Sequence, residues 1–196
     1  MKLLPLLCLF AVSCNVFSTR EPESPDSKRS SFLPPTSPQI VIVNFKNSLL
    51  EKNSENFVQC FADTSKGALS EFVFEPSASV NAQYPSLFQS WNRSSERQSF
   101  QSMMSKLPSD IIPALKLSND RYDITTPDSS IYEADYTLTV AHTIQTIPTQ
   151  VSGYMRFTIG SQSGGLWSII RWSDSSPTQT DSLNRTWSLL KATFSN

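Results

Sequence analysis

One histidine, His142, stands in the whole chain, with three cysteines, Cys8, Cys14 and Cys60. A nucleophilic triad needs base, nucleophile and orienting acid within hydrogen-bond reach. No G-x-S-x-G supplies the nucleophile. His142 follows an alternating segment and precedes Ile144, Ile147 and Pro148, which reads as a solvated turn histidine. Glu133 and Asp135 lie two residues apart, so both project from one face of a strand. Paired carboxylates can move protons. The same strand carries an apolar set, however, and that set must face the covering helices, which sends both acids toward solvent or a dimer partner. Asp123, Asp128, Asp174 and Asp181 fall near expected turns and form no D-x-D-x-D-G loop. With five glycines and no C-x-x-C pair, nothing cradles a phosphate or a zinc ion. No catalytic residue, metal ligand or cofactor is expected.

The third cysteine chemistry is lipidation. Met1-Lys2 precedes a short apolar run, Leu3 to Val12, which is too short to span a bilayer as a helix of about 20 residues. It has the length of a signal-peptide core. Ala11-Val12-Ser13-Cys14 fits two endings: ordinary cleavage after small residues, or a lipobox whose cysteine sulfur takes a diacylglycerol. Ala11 stands where the usual lipobox has Leu. The expected organisation is a lipoprotein signal at residues 1–13, lipidated Cys14 with a Ser/Pro-rich tether over 14–38, and one domain over 39–196; plain secretion and an uncleaved anchor are the alternatives. Repeated prolines keep such a tether extended. Cys60, beside Phe57, Val58 and Phe61, reads as a small buried hydrophobe.

The elements that must position a site divide the chain in two. Ser37-Pro38 starts a helix with Ile42, Phe45, Leu49 and Leu50 at helical spacing. Asn53 or Ser54 caps a second, short one. A strand is expected over Glu71 to Phe74, then an irregular aromatic stretch from Asn81 to Trp91. A third helix starts at Ser94 with the stripe Phe100, Met103, Met104 and Leu107. From Ala114 the pattern turns to strands: a weak one to Asp123, then Ile131 to Val140, Gln150 to Ile159 and Leu166 to Trp172, with a glycine turn at 160–165. Helices before an antiparallel meander give an α+β fold, N-terminal helices packed on a curved antiparallel sheet. The aromatic residues then mark a possible pocket wall. Tyr132, Tyr136, Met155 and Phe157 share the inner side of two strands and face Tyr84, Trp91 and Met103, either lining a site for a small apolar ligand or filling one another as core. Trp167 and Trp172 have opposite parity on one strand, so one of them faces outward.

This element order resembles the nuclear transport factor 2-like cone fold, and a group of bacterial lipoproteins that carry it. The resemblance rests on Tyr136-Thr137-Leu138, on Gly153 before Phe157, on the string W-x-I-x-x-W-x-D at Trp167 to Asp174, and on Thr186 to Lys191. It spans about residues 37–194 and implies helices lying against the concave face of the sheet with a cone-shaped pocket between. Some isomerases of this fold use a pocket Asp with a Tyr, so the resemblance also admits an isomerase or dehydratase using Tyr132, Tyr136 or Asp135.

Composition narrows the partners. Lys+Arg 16 against Asp+Glu 17 leaves a net charge of -1, which removes the basic excess of a nucleic-acid binder. The expectation is an exported envelope lipoprotein, held to a membrane through Cys14, whose domain binds a small apolar ligand or a protein partner without catalysis. A structural homodimer through the outer sheet face is a further alternative. An ionisable group inside the cone would decide for an enzyme, and the strand parity places none of the acids there.

Overall fold

The structure is a computed structural model that describes residues 30–176 and 185–195. The signal segment, Cys8, Cys14 and Asp181 lie outside the described residues.

Helix α1, Pro38–Leu50, begins where Ser37 and Pro38 predict, with the Ser37 hydroxyl accepting from the Ile40 amide. Asn53 caps α2, Ser54–Gln59, by accepting from the amides of Glu55 and Asn56. The strand expected over Glu71–Phe74 is β1, Val73–Glu75. The stretch read as irregular contains two short helices, α3 Ala78–Gln83 and α4 Pro85–Gln89. Asn92 caps α5, Arg93–Ser105, in a capping box with Ser95. Four long strands follow: β2 Ala114–Thr125, β3 Ser129–Thr139, β4 Gln150–Ser161 and β5 Trp167–Ser175. A last helix, α6, covers Trp187–Thr193.

The sheet order is β1-β5-β4-β3-β2. The meander β2 to β5 is antiparallel, but β1 joins β5 in parallel, so the sheet is mixed rather than wholly antiparallel. A short apolar run carries no signal of direction; its partner, Val73 opposite Arg171, is supplied by chain far away in sequence. Bulges bend the sheet around its contents. One sits in β2 at Asn119, whose φ is 52°, and another in β5 between the pairs Thr158–Arg171 and Ile159–Ile169.

Strand β3 keeps the parity that its alternation predicts: Tyr132, Ala134, Tyr136 and Leu138 are buried on the inner side. The bulge at Ile170 settles the tryptophans. The extra residue cancels their difference in parity, so the expectation that one of them faces outward is corrected: Trp167, paired with Ser161 on the side of Ile159 and Ile169, lies half-buried against the core on the same inner face as the fully buried Trp172. The core centres on Phe45 of α1, whose ring meets Phe57, Phe61, Phe157, Trp172 and Trp187 at centroid distances of 5.2–6.3 Å. Leu50, read as part of the core stripe of α1, is instead exposed.

The folded body begins before Pro38. The Leu33 amide donates to Asn44 Oδ1 at 2.9 Å, and Asn44 Nδ2 donates back to the Leu33 carbonyl at 2.7 Å. The Ser31 amide reaches Glu51, and the Trp167 amide reaches the Pro35 carbonyl. Asn44 is buried, so its amide needs partners, and this stretch of backbone provides them.

Candidate functional site

The inner wall of β3, β4 and β5 does carry an acid. Asp174 shares the parity of Trp172 and is buried. The expectation that no carboxylate enters the cone is therefore corrected. It rested on ending the last strand at Trp172, whereas β5 runs on to Ser175 and carries Asp174 inward. Tyr136 crosses from β3 and donates to Asp174 Oδ1 at 2.7 Å. Gly153, paired with Tyr136 in the ladder, clears its path: a β-carbon there would lie 2.6 Å from the Tyr136 hydroxyl oxygen.

This Asp–Tyr pair is occupied by the chain itself. Thr186 precedes α6 without capping it through its side chain. The first amides of a helix need acceptors all the same. The Trp187 amide donates to the Tyr136 oxygen at 2.6 Å, and the Ser188 amide donates to Asp174 Oδ2 at 2.8 Å. The Ser188 hydroxyl also donates to Asp174 and accepts from the Ser77 amide. Asp174 is thus a helix cap supplied by a strand, with its negative charge at the positive end of α6. Burial pushes its carboxyl above the usual range, while the bonds from Ser188 and Tyr136 pull it back. Burial and the adjacent Asp174 carboxyl hold the Tyr136 hydroxyl well above its ordinary value.

A second polar anchor holds the other end of α6. Lys191 forms a buried ion pair with Glu96 of α5, and Trp91 Nε1 donates to the same carboxylate oxygen at 2.7 Å. The ammonium also sits 3.6 Å from the ring centroids of both Phe74 and Trp172, a double cation–π contact. Desolvation lowers the Lys191 ammonium to about 8 against the pull of Glu96. Sequence reading missed Glu96, Lys191 and Ser188. A glutamate in the first turn of a helix needs no buried partner to explain it, and lysines and serines are mostly solvated.

Between these anchors Trp187 fills the cone. Its ring lies 4.8 Å from Trp172 and 5.7 Å from Tyr136 and Phe45. Beside it, among the described residues, lies a void of about 10 Å³ bounded by Phe57, Glu96, Ser99, Phe100, Met103, Trp187 and Lys191. That is room for one water at most.

The residues expected to face a pocket are gathered on this wall, but the groups around them are protein. Tyr132, Tyr136, Met155 and Phe157 are buried, as are Trp91 and Met103, and Tyr84 is half-buried between α3 and α4. The Tyr132 hydroxyl donates to Asp120 at 3.3 Å. Glu133 and Asp135 face away from the helices. Glu133 is pinned between Arg121 and Arg156, and Asp135 accepts from Asn119. His142 is not solvated: it is buried, its ring 5.5 Å from that of Phe194, with Nδ1 accepting from the Ile144 amide. Cys60 is buried and its thiol is pushed far up by desolvation, so it is unreactive. An open groove of about 700 Å³ runs between the loop at 142–150 and Arg185 and Leu189. Among the described residues no three His, Cys, Asp or Glu side chains group as metal ligands, and no helix is long and apolar enough to cross a membrane.

No protein-family model and no curated protein matches the chain. Solved structures do match its shape. A nuclear transport factor 2-like superfamily protein from Salmonella enterica superposes with a TM-score of 0.51 at 14% identity, over 71% of this chain and 88% of that one. An uncharacterised protein with a cystatin-like fold from Caulobacter vibrioides gives 0.51 at 11%, over 72% and 87%. A proposed dehydratase of the nuclear transport factor 2-like family from Streptomyces avermitilis gives 0.50 at 10%, over 71% and 93%. The fold is the nuclear transport factor 2-like cone; identities this low carry the fold and nothing of the activity.

Proposed function

We propose that this nuclear transport factor 2-like domain is the non-catalytic, protein-binding part of an exported lipoprotein, held to a membrane through Cys14. The observation that carries the reading is the placement of Trp187, 1% exposed, where a cone of this kind would otherwise keep its ligand. A site for a small molecule needs several hundred Å³ of concave space. The void beside Trp187 offers about 10 Å³. A small apolar ligand therefore has no room in the cone while α6 is docked, and a protein partner at the outer surface is the occupant that the shape favours.

The signal-like segment Leu3–Val12 and the string Ala11-Val12-Ser13-Cys14 support the anchor. Metabolic labelling with a palmitate analogue tests it. The wild type takes the label and stays with the membrane fraction, and Cys14→Ala does neither. Equal membrane association of both chains would refute the anchor. Native mass spectrometry of the purified chain tests the binding mode: the mass is that of the protein and its lipid alone. A stoichiometric copurified small molecule would refute the filled cone.

A second reading draws on one observation. Asp174 and Tyr136 are buried, hydrogen-bonded to each other and both shifted upward, which is an acid–base pair in residue type. An isomerase or dehydratase would need α6 to leave so that substrate could replace the amides of Trp187 and Ser188. Against it stands the number of contacts that α6 makes on both sides of the pair.

A further inference from the structure

Helices α1 and α5 have 13 residues each and cover the same sheet, yet their outer faces differ in kind. The exposed positions of α5 are polar: Ser94, Gln98, Gln101 and Ser105. On α1 the exposed positions are mixed, Gln39 and Lys46 polar but Val43 and Leu50 aliphatic. Val43 is 43% and Leu50 51% exposed, seven residues apart on one line, and Lys46 is the one charge on the helix. Leu33, on the backbone clasped to Asn44, extends the patch at 49% exposed, and Ile112, next to the carbonyl that receives Lys52, is 60% exposed.

The chain outside the structure says what covers this face. It ends at Ser30, whose neighbour Ser31 bonds to Glu51, one residue past Leu50. Anything attached at Cys14 is therefore drawn toward the Leu50 end of α1. The 15 residues from Asn15 to Arg29 can span at most about 50 Å. We infer that α1 is the membrane-facing side of the domain, with Val43, Leu50 and Leu33 touching the lipid interface and Lys46 meeting anionic headgroups. The inference rests on the lipid anchor proposed above. Three aliphatic side chains are too few to hold a protein on a bilayer from solution. A short tether changes that, because it raises the local concentration of surface to about millimolar or more, so a contact of negligible free affinity becomes populated. The domain would then present its opposite side, the outer face of the sheet, to partners away from the membrane.

The test uses the mature chain in vesicles of phosphatidylethanolamine and phosphatidylglycerol with brominated acyl chains. A fluorophore is placed at Val43→Cys or, as the opposite-face control, at Lys116→Cys; Cys60 is buried and does not compete for it. The inference expects the label at 43 to be quenched several-fold more than the label at 116. It also expects that difference to disappear in Leu33→Ser/Leu50→Ser. Equal, weak quenching at both positions in a chain carrying lipid at Cys14 would overturn this inference and leave the anchor standing. A label at 43 shielded equally in vesicle-free detergent, in a chain that sediments as a dimer, would overturn it in favour of a second copy. A chain without lipid at Cys14 would remove the anchor and this inference together.

Discussion

Asp174 and Glu133 make the instructive comparison. Both are carboxylates on the central sheet, both are buried, and they face opposite ways. Glu133 lies in one transverse row that crosses all five strands, Arg121, Glu133, Arg156, Ser173 and Glu75, with ion pairs from both arginines. Each arginine is about half exposed, so water screens the row and its energy is modest. Among the described residues Asp174 meets no cation at hydrogen-bond distance. It is satisfied by the Tyr136 hydroxyl and by the hydroxyl and amide of Ser188 in α6, in a place that water does not reach. The outer row rests on solvated charge pairing. The inner acid is a fastener, and removing what it fastens should cost far more.

The largest effect belongs to Trp187. Trp187→Ala should lower stability by about 3–5 kcal/mol, the usual range for emptying a large aromatic site, and should open a cavity that takes up an apolar dye. Chemical denaturation and dye titration read both. Lys191→Met comes next, because it leaves Glu96 as a buried charge without its partner, a loss of about 3–5 kcal/mol. The double variant Lys191→Met/Glu96→Gln should recover most of that loss, since Gln still accepts from Trp91; a double variant no better than the single one would mean that the ion pair is not the coupling. Glu133→Gln should change stability by about 1 kcal/mol or less. A loss from Glu133→Gln as large as that from Trp187→Ala would erase the distinction between the two faces.

A pH profile sharpens the same contrast. The unfolded chain holds the Lys191 proton up to its ordinary 10.5, while the folded chain releases it near 8. Between those values the unfolded state binds more protons, so the contribution of Lys191 to stability rises with pH. Denaturation midpoints of the wild type relative to Lys191→Met should therefore rise from pH 8 to 10. Asp174 has the opposite sign. Its folded value lies above 3.8, so its contribution grows as pH falls through the folded value toward 3.8. Glu75, lowered first by the Ser173 hydroxyl and then by Arg171, loses its contribution on the same descent.

These two faces also show what was legible in the sequence. The strand from Tyr132 to Leu138 alternates cleanly, so its inner and outer sets could be read directly. Trp172-x-Asp174 contained the buried acid as well, because residues two apart share a face. The reading stopped the strand too soon. The role of α6 left no comparable trace. Its seven residues include Ser188 and Lys191, types that are mostly exposed, and both are buried only because Asp174 and Glu96 wait for them from far along the chain. Similarly, β1 could be recognised as a strand but not assigned a direction, and Leu50 fits the core spacing of α1 while pointing out of it. Periodicity reports a side chain's neighbours along its own element; tertiary partners decide the remainder.

The central claim is that α6 is a permanent part of the core, and amide hydrogen exchange at Trp187 and Ser188 tests it most directly. These two N–H groups are bonded to Tyr136 and Asp174 inside the cone. The account predicts that they exchange only through global unfolding, with the same opening free energy as amides at the centre of β4. Exchange of the α6 amides through a cheaper local opening, with β4 still protected, would contradict it and make the helix a removable lid over an acid–base pair.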